Sequence, residues 1–323
     1  MQPRLPGPAR WMGDGRSRPL GWCGLVLVAS GCLHLAVWAV LGGPWEGPVT
    51  WRKPILFGIS GGLTALSLGW VWAALPRRRG DGVLAAATAW ALGIEVALID
   101  LQRWRGVASH FNRGTPADSL LYDVMGVLIL FVTLVTVDLT VRTFVQRTFF
   151  SADMLLAARA GLVFLVISCV LGIWASVHGD LRLAAGLEPA RVGAAGVPKF
   201  PHGVAIHAIQ WLPLVAWAAR AAGIGRKARW KLVLLATIGT AAVLIYALAQ
   251  TFLGRGRFAA GPRTGAVLGA GVGGQVGAGA GGVPMFPPGV ATHAIPGLPV
   301  VGWAARAAGI GRKARWKLVL LAT

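Results

Sequence analysis

The sequence predicts an all-α membrane protein, a polytopic transmembrane helix bundle of about seven helices. Hydrophobic residues make up 55% of the 323 residues and charged residues only 13%, and the mean hydropathy is +0.65. A soluble chain of this length needs more polar surface than this composition supplies. The hydrophobic residues are also gathered into runs of about 20, enough for a helix to cross a hydrocarbon core of about 30 Å.

The runs divide the chain into consecutive parts. A basic leader, residues 1–19, precedes the first run, which is too long for a signal peptide and lacks a small-residue cleavage site, so we expect a retained helix. The predicted transmembrane domain, residues 20–253, is followed by a Gly/Ala-rich low-complexity linker, residues 254–282. The seven predicted spans within that domain are 20–42, 54–75, 82–101, 119–141, 154–177, 203–222 and 230–253.

The last part of the chain, residues 283–323, is a truncated duplicate of residues 197–237. It ends eight residues into a predicted helix and has prolines at Pro288 and Pro296, which weaken a spanning helix. We interpret it as a duplication without a role of its own. The alternative is an eighth span whose notable polar group is His293.

The basic residues predict the orientation. Loops on the same side of the membrane as the N-terminus carry about fourteen Arg and Lys residues and the opposite loops about eight, which favours a cytoplasmic N-terminus. The net charge of +20 then consists of topology signals and lipid-headgroup contacts. The lipid bilayer is the expected partner, nucleic acid is not, and protein partners are left open.

Polar residues are concentrated on the predicted extracytoplasmic side. The stretch RGVASHFNRGTPAD, residues 105–118, lies in a loop on this side, together with WRKP, residues 51–54, and with residues 178–202. Ionisable residues inside the spans lie towards the same side. We predict one polar pocket there, with the candidate binding residues Lys53, Glu95, Arg105, His110, Asn112, His202, His207 and Gln210.

Glu95 is the hardest of these to explain by structure alone, because a carboxylate in hydrocarbon costs several kcal/mol unless it is paired or faces a wet cavity. We expect Arg103 or Arg105 to pair with Glu95 or Asp100. Asp118 follows Pro116 and is explained as the N-cap of the fourth helix.

Three chemistries suit these residue types. Haem or a metal ion needs imidazoles on separate helices, which His34, His110, His178, His202 and His207 supply, although no HxxxH box is present. GISG, residues 58–61, resembles the nucleophile motif of rhomboid proteases, but small residues in a span are usually packing contacts. A transporter or proton relay uses carboxylates such as Glu95 with histidines around a cavity. Catalytic and metal-ligating residues are left unknown.

Three stretches resemble a family of uncharacterised bacterial multi-pass membrane proteins. RKPILFGIS, QRWRGVASHFN and HGVAIHAIQWLP match the motifs KPxxFxxS, RGxxSHFN and HAxQxLP of that family in order. The resemblance covers about residues 20–250 and implies signature positions that include Lys53, His110, Asn112 and His207. It implies no activity.

Two functions are therefore open. In the first, the protein binds a redox cofactor, a metal ion or a small solute in the extracytoplasmic pocket. In the second, it is a non-catalytic structural or assembly protein whose polar residues hold helices together. A transporter or proton relay is a further alternative, and the sequence does not decide whether the protein is an enzyme.

Overall fold

The computed structural model describes residues 13–258. The duplicated tail, most of the leader and most of the linker lie outside these residues. Within them the chain is helical and has no β-strand, so the predicted all-α bundle is confirmed. The helices are α1 (Arg18–Leu41), α2 (Arg52–Ala73), α3 (Asp81–Trp104), α4 (Pro116–Val145), α5 (Ala152–Ala184), α6 (Lys199–Ile206), α7 (Ala208–Ala221) and α8 (Arg226–Phe252).

Six of these helices, α1 to α5 and α8, are long and apolar enough to cross a membrane. The protein is therefore a multi-pass membrane protein. We call the end of the bundle at which α1 begins the near end, and the opposite end the far end. Because successive spans alternate in direction, the loops 42–51, 105–115 and 185–198 meet at the far end.

The predicted span 203–222 is interrupted. The chain breaks at His207 into α6, of 8 residues, and α7, of 14 residues. At the break His207 has φ −91° and ψ 1°, and its carbonyl accepts from the amides of Gln210 and Trp211 at 3.1 Å. Non-helical backbone at membrane depth is tolerated where protein surrounds it, and α5 and α8 pack against this pair of helices.

The helix α5 is shared by both halves of the apolar core. Its residues Leu162 and Leu165 pack with α1 to α4, whereas Phe164 packs with α7 and α8. Gly161 allows the closest approach to α7, because a Cβ atom there would lie 2.6 Å from the Cα of Ile209. The broken pair α6–α7 is consequently held in the middle of the bundle.

Four glycines allow α1 and α2 to pack closely, and we call them the glycine seam: Gly24 and Gly31 on α1, Gly58 and Gly62 on α2. A Cβ atom on Gly62 would lie 2.6 Å from the carbonyl oxygen of Gly24, and one on Gly58 would lie 2.8 Å from the Cα of Gly31. Small residues allow helix backbones to approach in this way inside a membrane. Packing therefore accounts for Gly58, the first residue of the GISG motif.

Two buried aspartates close the near end. Asp81 is 2% exposed and accepts from Arg142 at 2.9 and 3.1 Å and from Arg16 at 3.3 Å, which ties α3 to α4 and to the leader. Asp153 is 0% exposed and accepts from Arg229 at 2.7 Å, which ties α5 to α8. Breaking a buried ion pair leaves an uncompensated charge, so these pairs fix the arrangement of the helices.

Replacing Gly62 by alanine is expected to destabilise the purified protein by about 1–3 kcal/mol, because the added methyl group forces α1 and α2 apart. The matched control is Gly61→Ala, since the nearest atom to a Cβ there is in the Val96 side chain at 3.4 Å, an ordinary contact. Thermal unfolding of both variants in one detergent measures the difference. Equal unfolding midpoints would contradict the seam.

Candidate functional site

Two of the predicted site residues hold the loop between α3 and α4 together. Arg105 donates to Asp118 at 2.7 Å and also to Gln102. Asn112 donates through its side-chain amide to the Ala108 carbonyl at 3.0 Å, and its side-chain oxygen accepts from the backbone of the same loop. Arg105 and Asn112 are therefore engaged in structural contacts.

The expected pairing of Arg103 or Arg105 with Glu95 or Asp100 is wrong. Arg105 follows the last turn of α3 and is directed to the start of α4, where Asp118 lies. Arg103 lies over the ring of Trp51, 3.9 Å from its centroid.

The expected N-cap is also wrong. Thr115 caps α4, and its hydroxyl oxygen accepts from the amide of Asp118 at 3.1 Å. Asp118 lies in the first turn, where its carboxylate accepts from the Thr115 hydroxyl at 2.8 Å. The two side chains form a reciprocal cap.

His110 lies in this loop. Its Nδ1 is 3.0 Å from the hydroxyl of Ser109, which is buried, and its ring packs beside Phe57 and Tyr122, with centroids 5.5 and 6.0 Å away. The next residue, Phe111, has a φ of 57°, a left-handed conformation that side chains other than glycine rarely adopt. Such strain persists only where the surrounding contacts impose it, and it is common at functional sites.

Two lysines from separate helices approach His110, and we call Lys53, His110 and Lys199 the basic cluster. Burial, followed by the charges of Lys53 on α2 and Lys199 on α6, lowers the pKa of His110 from 6.5 to about 3. His110 is therefore neutral near pH 7, and the lysines carry the positive charge. The Lys53 ammonium donates to the Pro48 carbonyl at 3.1 Å. In the described part of the chain, the charges that act on both lysines are those of other cations.

Arg52 and Arg257 add positive charge at the rim of the basic cluster. Burial and the nearby Arg52 lower the pKa of Arg257, and Glu46 opposes this effect. Glu46 is 4.0 Å from Arg52 and its side chain is 86% exposed, so it compensates little of the charge. Sequence reasoning counted Lys199 only as a topology signal, and it placed Arg257 in the linker, where no motif marks it.

His202 lies on α6 beside Lys199 and binds α5. Its Nδ1 is 2.8 Å from the backbone carbonyl of Ser168, and a carbonyl only accepts, so we assign the proton of the neutral ring to Nδ1. Nε2 then carries a lone pair. The Ser168 hydroxyl donates to the His202 carbonyl at 3.0 Å. The ring lies against Gly172, where a Cβ atom would be 3.2 Å from two ring atoms.

His207 and Gln210 lie at the break between α6 and α7. The Gln210 amide is next to the His207 imidazole, but neither its oxygen nor its nitrogen makes a hydrogen bond of ordinary geometry within residues 13–258. Both amide atoms are buried. An unsatisfied buried amide is costly, so this position favours a bound polar group such as water.

Glu95 lies deeper, near the middle of α3, and is 8% exposed. The titratable group that interacts with it is the thiol of Cys169 on α5. The chain has eleven acidic residues, all described, and ten of them have a basic nitrogen of Arg or His within 4.0 Å. Glu95 is the exception within residues 13–258.

The structure thus brings Lys53 and His110 together with Lys199, and it places His202 and His207 on the broken helix nearby. It assigns Arg105 and Asn112 to the loop and leaves Glu95 in the interior. Among the described residues, no group of three or more His, Cys, Asp and Glu side chains is placed to hold a metal ion.

An open cleft of about 280 Å³ lies at the opposite, near end, between the leader and the turn that joins α2 to α3. Its arginines are already paired: Arg16 with Asp14 at 2.8 Å and Arg78 with Asp138 at 3.0 Å. Because its charges are satisfied within the chain, this cleft is a weaker candidate than the basic cluster.

No protein-family model, curated protein or solved structure matches the chain. The function has to be argued from the residues themselves.

The low pKa of His110 predicts a pH dependence of stability. Between pH 6.5 and about 3 the unfolded chain binds a proton at this histidine that the folded chain does not, so its contribution to stability falls as the pH falls through that range. His110→Gln should therefore lose less stability than the native chain between pH 7 and pH 5. Chemical unfolding at both pH values measures this difference, with His178→Gln as the control. An unchanged pH dependence in His110→Gln would contradict the burial of His110 beside two lysines.

Proposed function

We propose that this protein is a bacterial plasma-membrane protein that binds a small oxyanion, a solute with a carboxylate or phosphate group, at the far end. The supporting observation is the basic cluster, in which the charges of Lys53 and Lys199, on two helices, act on the neutral His110, and neither lysine has a carboxylate partner within residues 13–258. Two ammonium groups beside a half-buried imidazole repel one another, and an anion between them removes that repulsion.

The residue types fit an oxyanion. Each lysine offers three donors on a flexible stem, and the imidazole of His110 adds a donor or an acceptor according to its tautomer. The imidazole of His110 lies beside the aromatic rings of Phe57 and Tyr122, while Lys53 is half-buried and Lys199 is exposed, so a solute can reach the site from the far end. Broken helices are a common way to place binding groups within a membrane, and Lys199 starts the broken pair α6–α7.

A redox cofactor or metal ion is supported less well. His110 lies beside two ammonium groups, which repel a metal cation, and Nδ1 of His202 already donates to Ser168. If the protein had only a structural or assembly role, the contacts of Arg105 and Asn112 would be explained. That role gives no reason for placing Lys53 and Lys199 at one site without a carboxylate partner among the described residues.

The orientation and the family are part of the proposal. The asymmetry of Arg and Lys residues favours a far end that faces the outside of the cell. The three motifs that resemble a bacterial membrane-protein family each contribute a residue to this region, namely Lys53, His110 and His207. We propose membership of that family on this basis.

Calorimetric titration of the full chain in nanodiscs of zwitterionic lipid, with inorganic phosphate and with succinate as probes, tests the function. Lys53→Gln and Lys199→Gln should each weaken binding at least about tenfold, equivalent to about 1.4 kcal/mol. Arg191→Gln removes a charge from another far-end loop and should leave the affinity within about twofold. Binding should also weaken as the ionic strength rises.

Two results would overturn the proposal. One is wild-type protein that binds neither probe in zwitterionic lipid, and the other is lysine variants that bind as well as the wild type. Nanodiscs with anionic lipid separate the two sources of the anion. If anionic lipid competes with phosphate, the natural occupant is a lipid headgroup, and if it does not, the occupant is a free solute.

A further inference from the structure

Glu95 is the one acidic residue in the described part of the chain with no arginine or histidine nitrogen within 4.0 Å, and it is more than nine-tenths buried in the bundle. A carboxylate in such a place is unstable unless it is paired, so the neutral acid is the form that this environment accepts. Asp81, Asp118 and Asp153 are buried to a similar degree, but each has an arginine. Glu95 thus lacks the ion pair with arginine that stabilises the ionised form of the other three buried carboxyl groups.

Polar groups lead from the basic cluster towards Glu95. Lys199 lies near His202, and His202 binds both the carbonyl and the hydroxyl of Ser168 on α5. The next residue of α5, Cys169, interacts with Glu95. Of these consecutive residues of α5, Ser168 therefore bonds to His202 at the far end, and the thiol of Cys169 lies within electrostatic range of the buried acid.

His202 is suited to pass on a proton. Its Nδ1 is committed to the Ser168 carbonyl, which leaves the lone pair of Nε2 as a proton acceptor. No hydrogen bond within residues 13–258 occupies this nitrogen.

We propose that Glu95 is a proton-exchanging carboxyl group that holds a proton in the bundle interior, exchanges it with the far end by way of His202, and takes it up when the anion binds. The last part rests on the proposed function, whereas proton binding at Glu95 does not. The anion and the proton bind together, so the charge added to the membrane interior is reduced. The ligand class of the site is then an oxyanion with an accompanying proton.

Few other titratable groups face Glu95. Cys169 of α5 interacts with it electrostatically, and Cys23 of α1 contacts α3 at the Ala89 carbonyl, nearly two turns away. His34 of α1 lies 4.0 Å from Asp100, more than one turn from Glu95 in the other direction. Apart from Cys169, the helices α2, α4 and α5 carry their charged and other titratable groups towards their ends: Arg52 and Lys53; Asp118, Tyr122, Asp123, Asp138 and Arg142; Asp153, Arg159, His178, Asp180 and Arg182.

The first experiment labels the full chain in nanodiscs with dicyclohexylcarbodiimide, which adds the protonated carboxyl group across its C=N bond. Mass spectrometry of the peptides should find Glu95 modified at pH 6 and several-fold less modified at pH 9. Asp81, Asp118 and Asp153 are the controls within the same molecule and should stay unmodified, because their arginines keep them ionised. Labelling of denatured protein verifies that each peptide is detected.

The second experiment measures protons taken up from weakly buffered solution, with a pH dye, when inorganic phosphate is added. Near pH 8 the native chain should take up about half a proton more per bound phosphate than Glu95→Gln, because Glu95 is partly protonated before the anion binds. Protons taken up by the two lysines are common to both proteins and cancel in this difference. The glutamine variant keeps the size and neutrality of the protonated acid, so its phosphate affinity should stay within about threefold.

The outcomes separate the two proposals. If Glu95 is unmodified at pH 6 while the denatured chain is labelled, the proton site is wrong even if phosphate binds. If proton uptake is the same in Glu95→Gln, the coupling is wrong. If the native chain binds no phosphate, the proposed function and the coupling fall together, and the labelling experiment still decides proton binding at Glu95.

Discussion

An acidic side chain taken out of water into this bundle has to be matched by a cation or kept neutral, because a lone carboxylate in a low-dielectric interior is strongly destabilising. The arrangement of the helices follows from how this constraint is met. Asp81 joins α3 to α4 through Arg142, Asp153 joins α5 to α8 through Arg229, and Asp118 joins the ends of α3 and α4 through Arg105. Each ion pair links two helices that pack against each other in the bundle.

Against this background the unmatched groups stand out. Lys53 and Lys199 are cations that lie near other cations, and Glu95 is an acid without a base among the described residues. An ion pair stabilises one relative position of the two helices that it joins. An ionisable group without an oppositely charged partner is instead stabilised when it binds a ligand or, for an acid, a proton. Ionisable residues in ion pairs thus stabilise the fold, and those without an oppositely charged partner form the proposed site. The two kinds of residue differ only in their partners.

Close backbone packing makes the arrangement of these groups possible. The glycine seam brings α1 and α2 together, and Gly161 allows α7 to approach α5. The break at His207 then lies within protein, and Gly172 gives the ring of His202 room to reach Ser168. The unsatisfied amide of Gln210 beside the break is consistent with a polar interior at this level.

The sequence by itself determined the helical class, the approximate spans and the common side of the polar loops, because these follow from runs of hydrophobic residues and from alternation of direction. It also identified Lys53, His110 and Glu95 as unusual, since charge in or beside a span is costly wherever the helix lies. It did not predict that Arg105 binds Asp118, that His207 interrupts a span, or that the charge of Lys199 acts on His110. These features depend on which residues of different helices lie near each other, or on how the end of a helix turns. Hydropathy reports the burial of each residue but not its neighbour across the bundle, and the neighbours were decided only by the tertiary structure.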